Sequence, residues 1–161
     1  MKHGRIKKYY HVGTDRISVS LRVAGYECTG IIDTGASLSC IPLCVAYKAG
    51  LINGDIQLSA DTFRTDSDRF CGADIVARLE ILQEANGESI IEIDGFKMSA
   101  IITGKLSSKT VSPDSIRQRA SYEARTVDET DKLILLGLDL LRCGGFSLSR
   151  HGDSIAMTLE L

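Results

Sequence analysis

Residues 17–23, Ile-Ser-Val-Ser-Leu-Arg-Val, carry an apolar side chain at every second position. A helix would scatter these side chains around its axis. An extended strand puts Ile17, Val19, Leu21 and Val23 on one face and Ser18, Ser20 and Arg22 on the other. The same alternation returns in ADIVARLEIL, at Ile75, Ala77, Leu79 and Ile81, and in SIAMTLEL, at Ile155, Met157, Leu159 and Leu161. Between such runs lie turn residues. Ala24-Gly25 sends the chain back through YECTGIID. Asn86-Gly87 predicts one hairpin turn, and Asp94-Gly95 predicts a second between ESIIEI and FKMSAII. His151-Gly152-Asp153 turns FSLS into the last strand.

Helices are few. CIPLCVAYKAGL fits a short strand and a helical turn, and LILLGLDLLRCGG fits an apolar strand, a glycine and a second helical turn closed by Gly144-Gly145. Residues 105–132 are polar, and there Ser112 can cap a short helix with Pro113 at its first position. The expected class is mostly β with one or two short helices.

At 161 residues, the chain is long enough to bury a core without staples, and a single domain is expected. We read residues 1–14 as a basic N-terminal extension and 15–161 as the domain, with a polar insertion at about 105–132. Lys2, Arg5, Lys7 and Lys8 are expected on a solvated, frayed terminus. The formal net charge of −2 gives no electrostatic case for nucleic acid or a membrane surface. The longest apolar run, LILLGLDLL, is too short to span a bilayer. Five cysteines without paired spacing fit reduced thiols in a cytoplasmic setting rather than a disulfide framework. The three histidines share no ligand spacing with them, so no metal site is expected.

One stretch carries chemistry. GIIDTGASLS, residues 30–39, runs two β-branched apolar residues straight into Asp33, then Thr34, Gly35, Ala36 and Ser37. Asp-Thr-Gly can merely cap a turn, because Asp accepts backbone N–H bonds and Gly tolerates unusual φ. Its context says more. Farther along, ILLGLDLL offers Leu135, Leu136 and Gly137 ahead of a short helix.

This pair of motifs resembles the retropepsin-like aspartic proteases, the retroviral and retrotransposon proteases and their cellular relatives. The resemblance implies a closed β barrel or sandwich in which the Asp-Thr-Gly loop sits at the middle of a ψ-shaped strand arrangement. The strand carrying Leu135, Leu136 and Gly137 would thread through it. Asp33 would be the catalytic aspartate. Thr34 would lock the loop to that of a partner subunit, and Gly35, Ala36 and Ser37 would line the substrate cleft. Many viral members carry an acid where this chain has Ser37. Asp139 is expected to anchor the following helical turn. A flap should close over the substrate, and RTDSDRFCG, residues 64–72, is its candidate, with Phe70 facing the substrate.

Hydrolysis in this family uses two facing carboxylates and one water, with no metal or cofactor. This chain holds one Asp-Thr-Gly and no Asp-Ser-Gly. The resemblance therefore implies a homodimer acting on a protein or peptide, each subunit giving one Asp33. The alternative reading is a catalytically weak binding or dimerisation module on the same fold.

Overall fold

The computed structural model describes the backbone of residues 1–52, 58–64, 69–102, 112–126, 128 and 132–161. It describes the side chains of 1–52, 73–100, 112, 114–126, 128 and 132–161. The alternating runs are strands. β2 (Ser18–Val23) turns through Ala24 and Gly25, both at positive φ, and pairs antiparallel with β3 (Tyr26–Ile32). β4 (Cys40–Pro42) leads into α1 (Leu43–Lys48). β5 (Leu58–Arg64), β6 (Arg69–Leu82) and β7 (Ser89–Ile102) follow as an antiparallel meander. Then come α2 (Pro113–Thr126), β8 (Ile134–Leu136) and α3 (Leu138–Leu141).

Strand order β2-β3-β8-β4-β7-β6, with β6 pairing back onto β2, closes a six-stranded barrel. β5 lies outside the ring on β6. Closure leaves no free edge among those six strands. The alternation decides what fills the barrel: Val19, Leu21, Val23, Ile75, Leu79, Ile81, Ile91 and Met98 are all buried and join one apolar core. The inserted strand is β8. It runs parallel to β3, with Ile31 opposite Leu135 and Ile32 opposite Leu136, and antiparallel to β4 at Cys40.

Three expectations are corrected. The N-terminus is not frayed. β1 (Arg5–His11) pairs along its length with β10 (Ser154–Glu160), from Arg5 opposite Glu160 to His11 opposite Ser154. Ile6 is fully buried there, and Gly4 and Leu161 exchange both backbone bonds. The lysines stay at the surface because alternation points them away from Ile6 or lets only their stems be covered. β10 also pairs with β9 (Gly145–His151), giving a separate three-stranded sheet, β1-β10-β9.

Asp94-Gly95 does not turn a hairpin. β7 runs through it unbroken, and the register against β6 slips by one residue between Ala77/Phe96 and Leu79/Ile93. Gly95, at φ +67°, absorbs the extra residue as a bulge. Asn86-Gly87 does lie in the β6–β7 turn, with Asn86 at φ +58° and the Gly87 N–H on the Glu84 carbonyl.

The polar stretch near 105–132 contains α2, a helix of 14 residues, longer than the short one expected. The Ser112 hydroxyl accepts the Ser115 N–H at 3.2 Å as its cap. α2 packs on α1, burying Ile116 and Ala120 against the core that holds Leu43, Cys44 and Ala46.

Candidate active site

β3 delivers Asp33 to the crossing point of the ψ arrangement. Its N–H donates to the Leu136 carbonyl at 3.0 Å, so the parallel β3–β8 ladder fixes the backbone at this acid. The chain then turns sharply. The Ala36 N–H donates to the Asp33 carbonyl at 3.2 Å, and the Gly35 N–H donates to Asp33 Oδ1 at 2.9 Å. A β-carbon on Gly35 would lie only 3.2 Å from that same oxygen. The carboxylate is thereby aimed by its own loop. Asp33 and Ala36 are half-buried, while Thr34, Gly35 and Ser37 are exposed.

The threading strand holds the loop from below. Leu135 and Leu136 pair with Ile31 and Ile32, and the Leu138 N–H donates to the Ala36 carbonyl at 2.8 Å. Gly137 passes so close that an added β-carbon would sit 2.7 Å from the Leu38 carbonyl carbon and 2.9 Å from the Ala36 oxygen. The glycine here answers to space.

Asp139 anchors the turn. One carboxylate oxygen accepts the Ser39 hydroxyl at 2.7 Å and the Leu140 N–H at 2.8 Å, and the other accepts the Ser39 N–H at 2.8 Å. The Ser39 hydroxyl in turn accepts the Gly137 N–H at 3.0 Å. Ser39 is fully buried and joins both halves of the ψ arrangement. Sequence reasoning missed it; its one signal was a serine placed directly before the apolar strand Cys40-Ile41-Pro42. Cys40 lies beside the same acids: burial, then the Asp139 and Asp33 carboxylates, push its thiol up to about 11.

The structure thus brings Asp33, Thr34, Gly35, Ala36 and Ser37 together with Leu135, Leu136 and Gly137. Phe70 lies on β6, but its side chain is outside the described residues, as are positions 65–68 of the flap candidate. Among the described residues, no group of three or more His, Cys, Asp or Glu side chains is placed to hold a metal ion. No described helix is long and apolar enough to cross a membrane. A half-buried carboxylate held in such a turn can exchange a proton with a water or a bound carbonyl.

No protein-family model matches the chain. No curated protein matches its sequence. Its structure does have counterparts. One is the crystal structure of a retropepsin-like aspartic protease from Rickettsia conorii, at 16% identity and a TM-score of 0.53, covering 100% of this chain and 99% of that one. Another is the retroviral protease-like domain of Ddi1 from Leishmania major, at 12% identity and a TM-score of 0.50, covering 92% of this chain and 96% of that one. The fold is retropepsin-like.

Proposed function

We propose that this chain is an aspartic endopeptidase that works as a homodimer, each copy supplying one Asp33. The observation that carries the reading is the Asp33-Thr34-Gly35 turn itself. It stands at the ψ crossing with its carboxylate oriented by Gly35 and its hydroxyl and glycine exposed.

Two such carboxylates facing one water cannot both ionise cheaply, so the pair shares a proton. The ionised member takes a proton from the water as its oxygen attacks the scissile carbonyl. The protonated member hydrogen-bonds the carbonyl oxygen and stabilises the charge that develops there. Collapse of the tetrahedral intermediate returns a proton to the departing amine. Thr34 then bonds across to the partner's loop, and Gly35, Ala36 and Ser37 line the cleft.

Support for two copies comes from the three-stranded sheet. Among the described residues, the far side of β9 pairs with no other strand. Leu148 on β9 sits opposite buried Met157, yet is 49% exposed. An unpaired edge bearing an apolar side chain is a template for another strand. We assign the flap to the paired ends of β5 and β6, where Arg64 lies opposite Arg69 and Phe63 opposite Phe70. A cytoplasmic setting fits the free Cys28, Cys40, Cys44 and Cys143.

The test is cleavage of a broad peptide mixture by the parent protein and by Asp33→Asn, read by mass spectrometry, with sedimentation on both. The expected result is cleavage by a dimeric parent and a loss of at least about a thousandfold in the variant, of the size seen when an essential acid–base group is removed. Equal cleavage by both proteins would remove Asp33 from the mechanism. No cleavage by a folded, dimeric parent would favour the binding-module alternative.

A further inference from the structure

Asp33 is held from two sides. On one, its N–H bonds the Leu136 carbonyl of β8. On the other, the N–H of Ile32, the residue before it, donates to the Ile17 carbonyl at 2.9 Å. That second hold is the outermost rung of the β2–β3 ladder, one residue beyond the end of β2. A terminal rung frays unless its neighbours fix it. β6 does not reach this rung, because its pairing with β2 runs from Ser20 to Val23.

Bonded and non-bonded pairs alternate along an antiparallel ladder. Ile17 and Ile32 form a bonded pair, so Ser18, opposite Ile31, turns its N–H and C=O away from β3. A half-buried carbonyl at such a place needs a donor from elsewhere. The Tyr10 hydroxyl supplies it, donating to the Ser18 carbonyl. Tyr10 belongs to β1, where it lies opposite Ile155 of β10, and its ring packs against the apolar core. Burial lifts its phenol above the ordinary tyrosine value, so it remains a protonated donor through the neutral range. Tyr9 points the other way. It is 61% exposed, with the Lys7 ammonium 5.2 Å from its ring. Of these two adjacent tyrosines, Tyr10 is the one that reaches the barrel.

We propose that Tyr10 is a positioning residue for Asp33, a role that rests on the peptidase reading above. Its hydroxyl ties the terminal sheet to the rung beside the acid, so the β1–β10 pairing and the aim of Asp33 are coupled. When β1 leaves β10, Tyr10 leaves Ser18, and Ile32 loses a fixed acceptor.

Amide hydrogen exchange tests this without turnover. Tyr10→Phe keeps the ring and its apolar contacts and removes the hydroxyl alone. In this variant the Ile32 amide is expected to exchange about fivefold faster than in the parent, the effect of one neutral hydrogen bond. The Cys28 amide, in the bonded pair with Leu21 farther along the same ladder, should keep its parent rate. Tyr9→Phe, the same deletion on the same strand, should change neither. On a peptide that the parent cleaves, Tyr10→Phe should lower kcat about fivefold at unchanged KM, because the acid is misaimed while the substrate still binds.

An Ile32 amide that keeps its parent rate in Tyr10→Phe would overturn the tether. So would equal acceleration at Ile32 and Cys28, which would make Tyr10 a source of overall stability alone. Faster exchange at Ile32 with the parent's kcat would deny Tyr10 any part in aiming the acid. Peptide digestion by the parent separates the two readings. Cleavage by the parent, with Ile32 exchange unaltered in Tyr10→Phe, leaves the peptidase and removes the tether. Faster Ile32 exchange with no cleavage by the parent leaves the tether and removes the peptidase.

Discussion

Gly137 shows how one residue's size can hold a site together. Its missing side chain lets β8 lie against the Ala36–Leu38 backbone, so that Asp33 and the threading strand share hydrogen bonds. In Gly137→Ala the new methyl would meet carbonyl atoms at 2.7–2.9 Å. Backbone cannot swing aside as a flexible side chain can, so a loss of about 3 kcal/mol is expected, at the upper end for overpacking. A urea midpoint matching the parent's would show that the loop relaxes freely. At this scale the sequence was legible where chemistry and geometry coincide in one short motif. Asp33 and Gly137 stood out because an acid at the end of an apolar strand, and a glycine after one, are costly without a reason. Ser39 was not legible. A serine has no signature for full burial, and its bonds to Asp139 and Gly137 span about a hundred positions of chain, a separation no local pattern encodes.

Among the elements, strands were the easiest to read and their partners the hardest. Period-2 alternation of the sequence gave β2, β6 and β10 directly, although in β10 Ala156 is buried on the face opposite Met157. The insertion of β8 between β3 and β4 came only from the family resemblance, because parallel pairing of distant segments leaves no local trace. Asp94-Gly95 misled for a physical reason. A left-handed glycine serves a bulge as well as a hairpin, and only the uninterrupted β6 partner decides between them. α2 is a third case. Its polar composition suggested an excursion, yet Ile116 and Ala120 dock it on α1, and buried Glu123 keeps Arg119 at 3.3 Å. Ile116→Ala should therefore cost about 3 kcal/mol, the middle of the range for a large-to-small change in a core. Chemical denaturation tests this; a change below about 0.5 kcal/mol, the usual surface value, would show that α2 merely rests on the surface.

Over the whole molecule, buried thiols couple stability to pH. Burial lifts Cys28 to about 12, with the Glu27 charge adding, and Cys40 to about 11. In the unfolded chain both would ionise near about 8.5. Between these values the unfolded chain has released protons that the folded chain retains, so stability falls as pH rises. Below the unfolded value the contribution is fully present. Cys40→Ala should therefore flatten the decline of the urea midpoint between about pH 9 and 11, while lowering stability slightly at neutral pH. An unaltered decline would show that the Cys40 thiol contributes nothing to it. One further consequence follows from the terminal sheet. Because β1, among the described residues, finds its strand partner in β10, Arg5 must wait for Glu160 before its ladder can form. A ribosome would thus release the barrel's early strands long before this sheet could assemble, and the long loop that β1 and β10 must close makes their pairing slow. If the sheet is also where two copies meet, a half-made chain carries Asp33 but no means of matching it with another. The order of synthesis would then keep single copies apart until the sheet is made.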